Sequence, residues 1–176
     1  MTSPLRLTAR HLLTAPLRLV QHAEGAFGVR KGVSVERRIP AEASLIFDLL
    51  ADPSRHREID GSGTLRDATE GSSRLGLGSR FGMGMRVGVA YQMVNEVVEF
   101  ETDRRIAWQA RPTVSLAAKV IGGRIYRYEL EPQGNGTLVR QTWDISSERI
   151  PPLVWGLRSP VRRSMERTLR RIEKLT

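Results

Sequence analysis

The chain has 176 residues, 40% of them hydrophobic, which suits one domain with its own core plus a short appendage. It has no cysteine, which excludes disulfide staples, thiolate zinc sites and a cysteine nucleophile. The formal charge of +9 rests on arginine, the only lysines being Lys31, Lys119 and Lys174; such a surface suits nucleic acid, an anionic membrane, an acidic partner or none of these.

Residues 1–31 differ from the rest. No acidic residue precedes Glu24, Arg6, Arg10 and Arg18 share an i, i+4 line, and Leu5, Leu12 and Leu19 recur on another face. Ser3-Pro4 has the form of a helix start and Pro16 of a kink. This basic amphipathic extension could lie on an anionic membrane, pack on a protein surface or act as a transit peptide. "LLTAPLRLV" is a poor secretion signal, since Pro16 and Arg18 break it, and no apolar run approaches the roughly 20 residues of a membrane span. The expectation is a cytoplasmic protein, with any membrane contact peripheral.

From Gly32 to residue 176 the pattern is that of one domain. "VSVERRI" alternates as a strand and stops at Pro40. "AEASLIFDLLA" has helical spacing, with Glu42 placed to complement the dipole of its first turn. Asp52-Pro53 then reads as N-cap and first residue of a second short helix that Gly61 terminates. Strands follow to about residue 146. In "SRFGMGMRV", Phe81, Met83, Met85 and Val87 share one face. "VAYQMVNEVVEFE" continues after Gly88, "RRIAWQA" groups Ile106, Trp108 and Ala110, and "GRIYRYELE" groups Tyr126, Tyr128 and Leu130. "GTLVRQTWDI" groups Val139, Gln141, Trp143 and Ile145, and short connections such as "EPQGNG" suit antiparallel hairpins. Ser159-Pro160 reads as the cap of a last helix with an apolar stripe of Val161, Met165, Leu169, Ile172 and Leu175. The fold class is α+β, helices segregated at the ends of an antiparallel sheet.

This order, with "IPAEASLIFDLLADPSRHREIDGSG", resembles the START-like or Bet v 1-like (SRPBCC) superfamily in its polyketide cyclase/dehydrase branch. Ile39, Ala41, Ile46, Phe47, Leu49, Leu50 and Asp52 match that branch's pattern after the first strand, while Glu42 stands where proline is usual. The resemblance covers about residues 33–175. It implies a helix-grip fold, a curved antiparallel sheet wrapped round the long C-terminal helix, and binding of a hydrophobic or amphipathic small molecule such as a lipid or polyketide. Some members are cyclases, aromatases or dehydratases, and fold alone does not decide between binding and catalysis.

On this view the expected wall of the cavity is Phe81, Met83, Met85 and Met93 with Trp108, Tyr126, Tyr128 and Trp143. Phe47 and Leu50 of the first helix, His56, Tyr91, and Met165 and Leu169 of the last helix complete it. Methionines adapt to irregular ligands, and Tyr and Trp add polar handles to apolar walls. The competing reading of the same face is a filled core.

The densest titratable cluster is "DPSRHREIDGSG". On a helix His56 and Asp60 share a face and Glu58 does not, so two ligands at most converge on a metal, and no HExxH motif or cysteine completes a site. No metal and no cofactor are expected. His56 and Asp60 could form an acid–base pair at the cavity mouth, or simply a polar helix end. If the chain is an enzyme, the candidates are His56, Asp60 and Tyr126, with Tyr91, Tyr128 and Arg37 as further donors. "GLGSRFGMG" lacks the strand-before, helix-after context of a phosphate loop and fits sheet curvature instead. Basic residues are spread over many elements with no nucleic-acid-binding signature, so nucleic acid is not the expected partner. Oligomeric state is not readable.

Overall fold

A computed structural model describes residues 32–69, 74–113 and 121–176, of which 67–69 are described by their backbone alone. The predicted N-terminal extension lies outside the described residues. Strand β1 (Gly32–Ile39) leads into helix α1 (Ala43–Ala51). A single 3-10 turn (Pro53–Arg55) follows, then α2 (His56–Ile59). Six further strands come next: β2 (Leu65–Thr69), β3 (Arg80–Val87), β4 (Val89–Glu101), β5 (Arg105–Pro112), β6 (Ile125–Gln133) and β7 (Gly136–Asp144). A short α3 (Pro151–Trp155) and a long α4 (Arg158–Leu175) end the chain.

The strands form one sheet in the order β1-β7-β6-β5-β4-β3-β2, every described pair antiparallel. Sequential pairing explains most of that order, and short turns make hairpins of β3–β4, β4–β5 and β6–β7. Between β6 and β7 the turn is Gly134-Asn135, with Gly134 at φ +60°, the position a type II′ turn reserves for glycine. Only β1 departs, crossing to pair with β7 after the helices.

The inner face follows the alternation expected from sequence. Phe81, Trp108, Tyr128, Val139 and Trp143 are buried on it. A bulge between Val97 and Glu99 shifts the phase of β4. Tyr91, Met93, Asn95 and Val97 point inward before it, and Phe100 after it, where its ring meets Phe47 edge-on at 5.3 Å. Such an extra residue bends the strand, which is how the sheet curls. Helix α1 covers the deep end, burying Ile46, Phe47, Leu49 and Leu50 completely or nearly so.

Two helix starts differ from expectation. Glu42 is the extended residue before α1 and caps nothing, whereas Asp52 does cap, its carboxylate accepting from Ser54 N at 3.0 Å. The long helix begins at Arg158 with Leu157 as an uncapped boundary, so Ser159 is already helical. Its apolar stripe is real from Met165 to Ile172, with Met165, Leu169 and Ile172 buried, but Leu175 is exposed. Burying Leu169 and Ile172 contributes roughly 1.5–3 kcal/mol each.

Arginine is mostly spent on the protein itself. Arg127 grips Glu99 through both ends of its guanidinium, at 3.0 and 2.6 Å, across β5. Arg140 bonds Glu36 at 2.6 Å, and Arg80, Arg104 and Arg162 each pair with a carboxylate. Arg37, a sequence candidate for the cavity, instead bonds Glu173 with its Nε at 2.8 Å and ties β1 to the end of α4.

The middle of α4 is seated on the segment after α2. Gly61 N–H donates to Thr168 Oγ1 at 3.0 Å, Arg167 Nε donates to Gly61 C=O at 2.6 Å, and Arg171 donates to Asp60 C=O at 2.6 Å. A Cβ on Gly61 would sit 2.1 Å from Ser164 O and 2.5 Å from Thr168 N, both backbone atoms of the helix. Gly61 therefore does more than end a helix; it admits the closest approach in the helix–segment contact. Gly61→Ala should lower unfolding free energy by about 1–3 kcal/mol or more, measured by urea denaturation, while Gly63→Ala at the open turn nearby should cost less.

Candidate functional site

Between the sheet and the N-terminal half of α4 lies a cavity of about 440 Å³. That is within the range of ligand-binding pockets and above what a few waters occupy. Strands β3 to β7 supply one wall, α4 the opposite wall, and α2 one side. Most of the expected lining is there. Met83, Met85, Tyr91 and Met93 come from the β3–β4 hairpin, Trp108, Tyr126, Tyr128 and Trp143 from the centre of the sheet, and Met165 from the helix. The register brings them together: Trp108 lies opposite Tyr126, Tyr126 opposite Trp143, and Met83 opposite Met93.

Four expected residues do not line it. Phe47 and Leu50 face the core under α1, Phe81 stands behind Trp108, and Leu169 packs below Met165. They support the wall from behind. Helical and alternating spacing gave their side but not their depth.

His56 is also deeper than expected. It is 3% exposed, stacked on Trp108 at 5.1 Å with Phe81 edge-on at 5.3 Å. Nε2 lies 2.9 Å from Leu50 C=O, so the proton sits on Nε2 and Nδ1 is a bare acceptor. Burial holds this imidazole below its ordinary value, against the weaker pull of the Leu50 carbonyl and Asp52. The ring is neutral at physiological pH.

Asp60 is not its partner. The Asp60 carboxylate accepts from Ser62 N at 2.9 Å and Leu65 N at 3.1 Å, building the turn into β2. The acid–base pair offered as one alternative to a polar helix end is not formed: the imidazole lies buried in an aromatic nest, and the Asp60 carboxylate builds a turn on the cavity wall. Among the described residues no three metal-ligating groups cluster.

The polar residues that sequence reading left out are the most informative. Gln141 Nε2 lies 2.7 Å from Tyr128 Oη, and Asn95 is 2% exposed on the inner face of β4. Alternation already groups Gln141 with Val139 and Trp143, and counting in twos from Met93 reaches Asn95 as well. Among the described residues, four buried polar atoms have no protein partner: His56 Nδ1, Asn95 Nδ2, Gln141 Oε1 and Trp143 Nε1. All four belong to side chains that line the cavity. Leaving such a group unpaired costs about 1–3 kcal/mol, and each of these four atoms is itself shielded behind the cavity wall.

Arg124 lines the cavity too, held at 3.2 Å by Glu148, whose fully buried carboxylate also accepts from Gly122 N at 2.7 Å. Burial pushes the Tyr126 and Tyr128 phenols up, so both stay protonated and can donate to a carbonyl oxygen. At the mouth, Val87 and Leu157 are 64% and 52% exposed, and Val89, paired with Val87 across Gly88, is 78% exposed. No described helix is long and apolar enough to cross a membrane.

A family model described as polyketide cyclase / dehydrase and lipid transport matches residues 30–176. An uncharacterized protein of Mycobacterium tuberculosis is 35% identical over 77 residues, covering 43% of this chain and 34% of its own length. The chain thus spans about a third of the length of the curated relatives it matches. In fold, a Chromobacterium violaceum protein superposes with a TM-score of 0.65 at 15% identity, covering 84% of this chain and 97% of that one. Ginseng major latex-like protein 151 from Panax ginseng does so at 0.60 and 12% identity, covering 81% and 95%.

The low imidazole pKa has a stability consequence. The unfolded chain binds a proton at His56 near pH 6.5 and the folded one does so only at lower pH, so acid favours unfolding. Denaturation midpoints should be flat above about pH 6.5 with respect to this group and fall below it. In His56→Phe that part of the slope should disappear; an unchanged slope would mean that the imidazole is not buried neutral.

Proposed function

Because the chain belongs to the polyketide cyclase/dehydrase and lipid transport family, within the Bet v 1-like superfamily, we propose that it binds, and carries or sequesters, a hydrophobic small molecule such as a lipid or polyketide between the sheet and α4. The observation that carries this is the 440 Å³ cavity walled by Trp, Tyr and Met side chains. A core that only had to be stable would fill that space, since voids in packed interiors cost contact energy.

A second reading is favoured by a specific feature. The protonated phenols of Tyr126 and Tyr128 on the cavity wall are donors able to polarise a ketone, with the neutral His56 imidazole on the same wall. On that reading the protein is a cyclase, aromatase or dehydratase whose cavity folds a reactive chain so that its own carbonyls meet. His56 and Tyr126 remain its candidates. Asp60 is weakened in that role because both its oxygens are engaged.

Loading is proposed to occur at an anionic membrane surface. Exposed Val87, Val89 and Leu157 stand at the mouth, and Arg86, Arg158 and Arg163 are exposed near the same two elements. Apolar residues with basic neighbours suit an anionic interface. The basic extension of residues 1–31 is proposed to add to the same contact.

Native mass spectrometry of gently purified protein should reveal a co-purifying small molecule. No adduct, together with no melting shift from a lipid and polyketide panel, would remove the binding reading. A binder keeps its affinity in Tyr126→Phe within a few fold, whereas a catalyst loses turnover there at nearly unchanged binding. For the membrane contact, Val87→Glu with Leu157→Glu, and separately removal of residues 1–24, should each weaken sedimentation with phosphatidylserine-containing vesicles; unaltered sedimentation in both would dispose of it.

A further inference from the structure

Resting on the binding reading, we infer that Glu148, which does not reach the ligand space, sets how the cavity responds to ligand charge, by holding and cancelling the Arg124 guanidinium on its wall. Glu148 is thus a positioning residue that acts through Arg124.

Two loops pressed together build this arrangement. Arg124 directly precedes β6, and its C=O accepts from Ala110 N at 2.9 Å, which fixes its backbone to β5. Gly123 before it has φ +123°, and a Cβ there would sit 2.0 Å from Ser147 O. Only a bare backbone admits the turn after β7 so closely, and that approach carries the Glu148 side chain inside. Its carboxylate is fully buried and divides its oxygens: Oε2 accepts from Gly122 N at 2.7 Å and Oε1 from Arg124 Nη1 at 3.2 Å. The Arg124 side chain keeps 18% exposure and lines the cavity, whereas Glu148 stands behind it.

A neutral acceptor would serve Gly122 equally well; what a carboxylate adds is charge. A buried ion pair is on average no better for stability than apolar packing, but a buried charge whose partner is removed is left uncompensated. The pair therefore matters for what Arg124 presents to an occupant: a guanidinium with its charge balanced from behind. Asp60 and Arg167, the other charged lining residues, are of opposite sign and engaged at the α2–α4 seat. Neutralising Glu148 strands a cation at the wall, and neutralising Arg124 strands an anion behind it. The two changes should alter ligand preference in opposite directions.

The test uses two fluorescent probes that share one ring system, N-phenyl-1-naphthylamine and its sulfonate, 8-anilino-1-naphthalenesulfonate. They are titrated into the full chain at about 0.3 M salt, which screens the basic surface more than the wall. Glu148→Gln keeps the shape and an acceptor for Gly122, and should raise the affinity ratio of sulfonate to parent by about fivefold or more. Arg124→Gln should lower the same ratio, and the double variant should return to within about twofold of the parent protein. Should one single variant fail to fold, the sign of the other decides. A purely structural role for the pair would lower melting temperature and both affinities together. A ratio that stays put, or moves the same way in both single variants, overturns the inference and leaves the binding reading standing. If neither probe binds the parent protein, the binding reading falls, and this inference with it.

Discussion

Helix α4 cannot lie flat in the sheet and also leave room for a ligand. It is held along its C-terminal half instead. Near its C-terminus Arg37 of β1 bonds Glu173, and Ile172 is fully buried. Toward its middle, Thr168, Arg167 and Arg171 bond the backbone of Asp60 and Gly61. Between that seat and the helix N-terminus, the side chains on the sheet-facing side stand off from β3 to β7, and the cavity occupies the gap. The site depends on that standoff, and the lack of a side chain at position 61 lets the segment after α2 seat against the backbone of Ser164 and Thr168.

The interior shows the opposing demands of stability and binding. At the deep end Ile46, Phe47, Ile106 and Val139 are packed without exposure. At the open end, among the described residues, four buried polar atoms have no protein partner and a space remains that larger side chains could have filled. Departures of this kind from a well-satisfied core concentrate at functional sites. The two halves share the same strands, and Trp108 belongs to both, touching His56 and Phe81 on one side and Tyr128 on the other.

Much of the architecture was legible because the relevant signals are local. Strict alternation in Phe81-Met83-Met85 and in Val139-Gln141-Trp143 assigned the inner face, and the stripe of α4 identified what it would cover. Depth was not legible, because it is set by partners far along the chain. Periodicity placed His56 and Asp60 on one helical face, yet a one-turn helix pressed against Trp108 buries the first and leaves the second at a turn. Asn95 was passed over for a related reason: in "MVNEVV" a polar residue reads as outward, and only the inward phase of Met93 and Val97, before the bulge, says otherwise. Gly61 read as a helix terminator because the helix it touches lies about a hundred residues later in the chain.

The placement of tryptophan has a practical side. The chain has three. Trp108 and Trp143 are in the cavity wall, while Trp155 sits on α3 under the Arg158 guanidinium, 5.4 Å away. Two indoles therefore emit from inside the ligand space and one from outside it, so the protein carries its own optical reporter. An occupant of the cavity changes the emission of the first pair, and Trp155→Phe leaves a signal that comes from the cavity wall alone, without any attached dye.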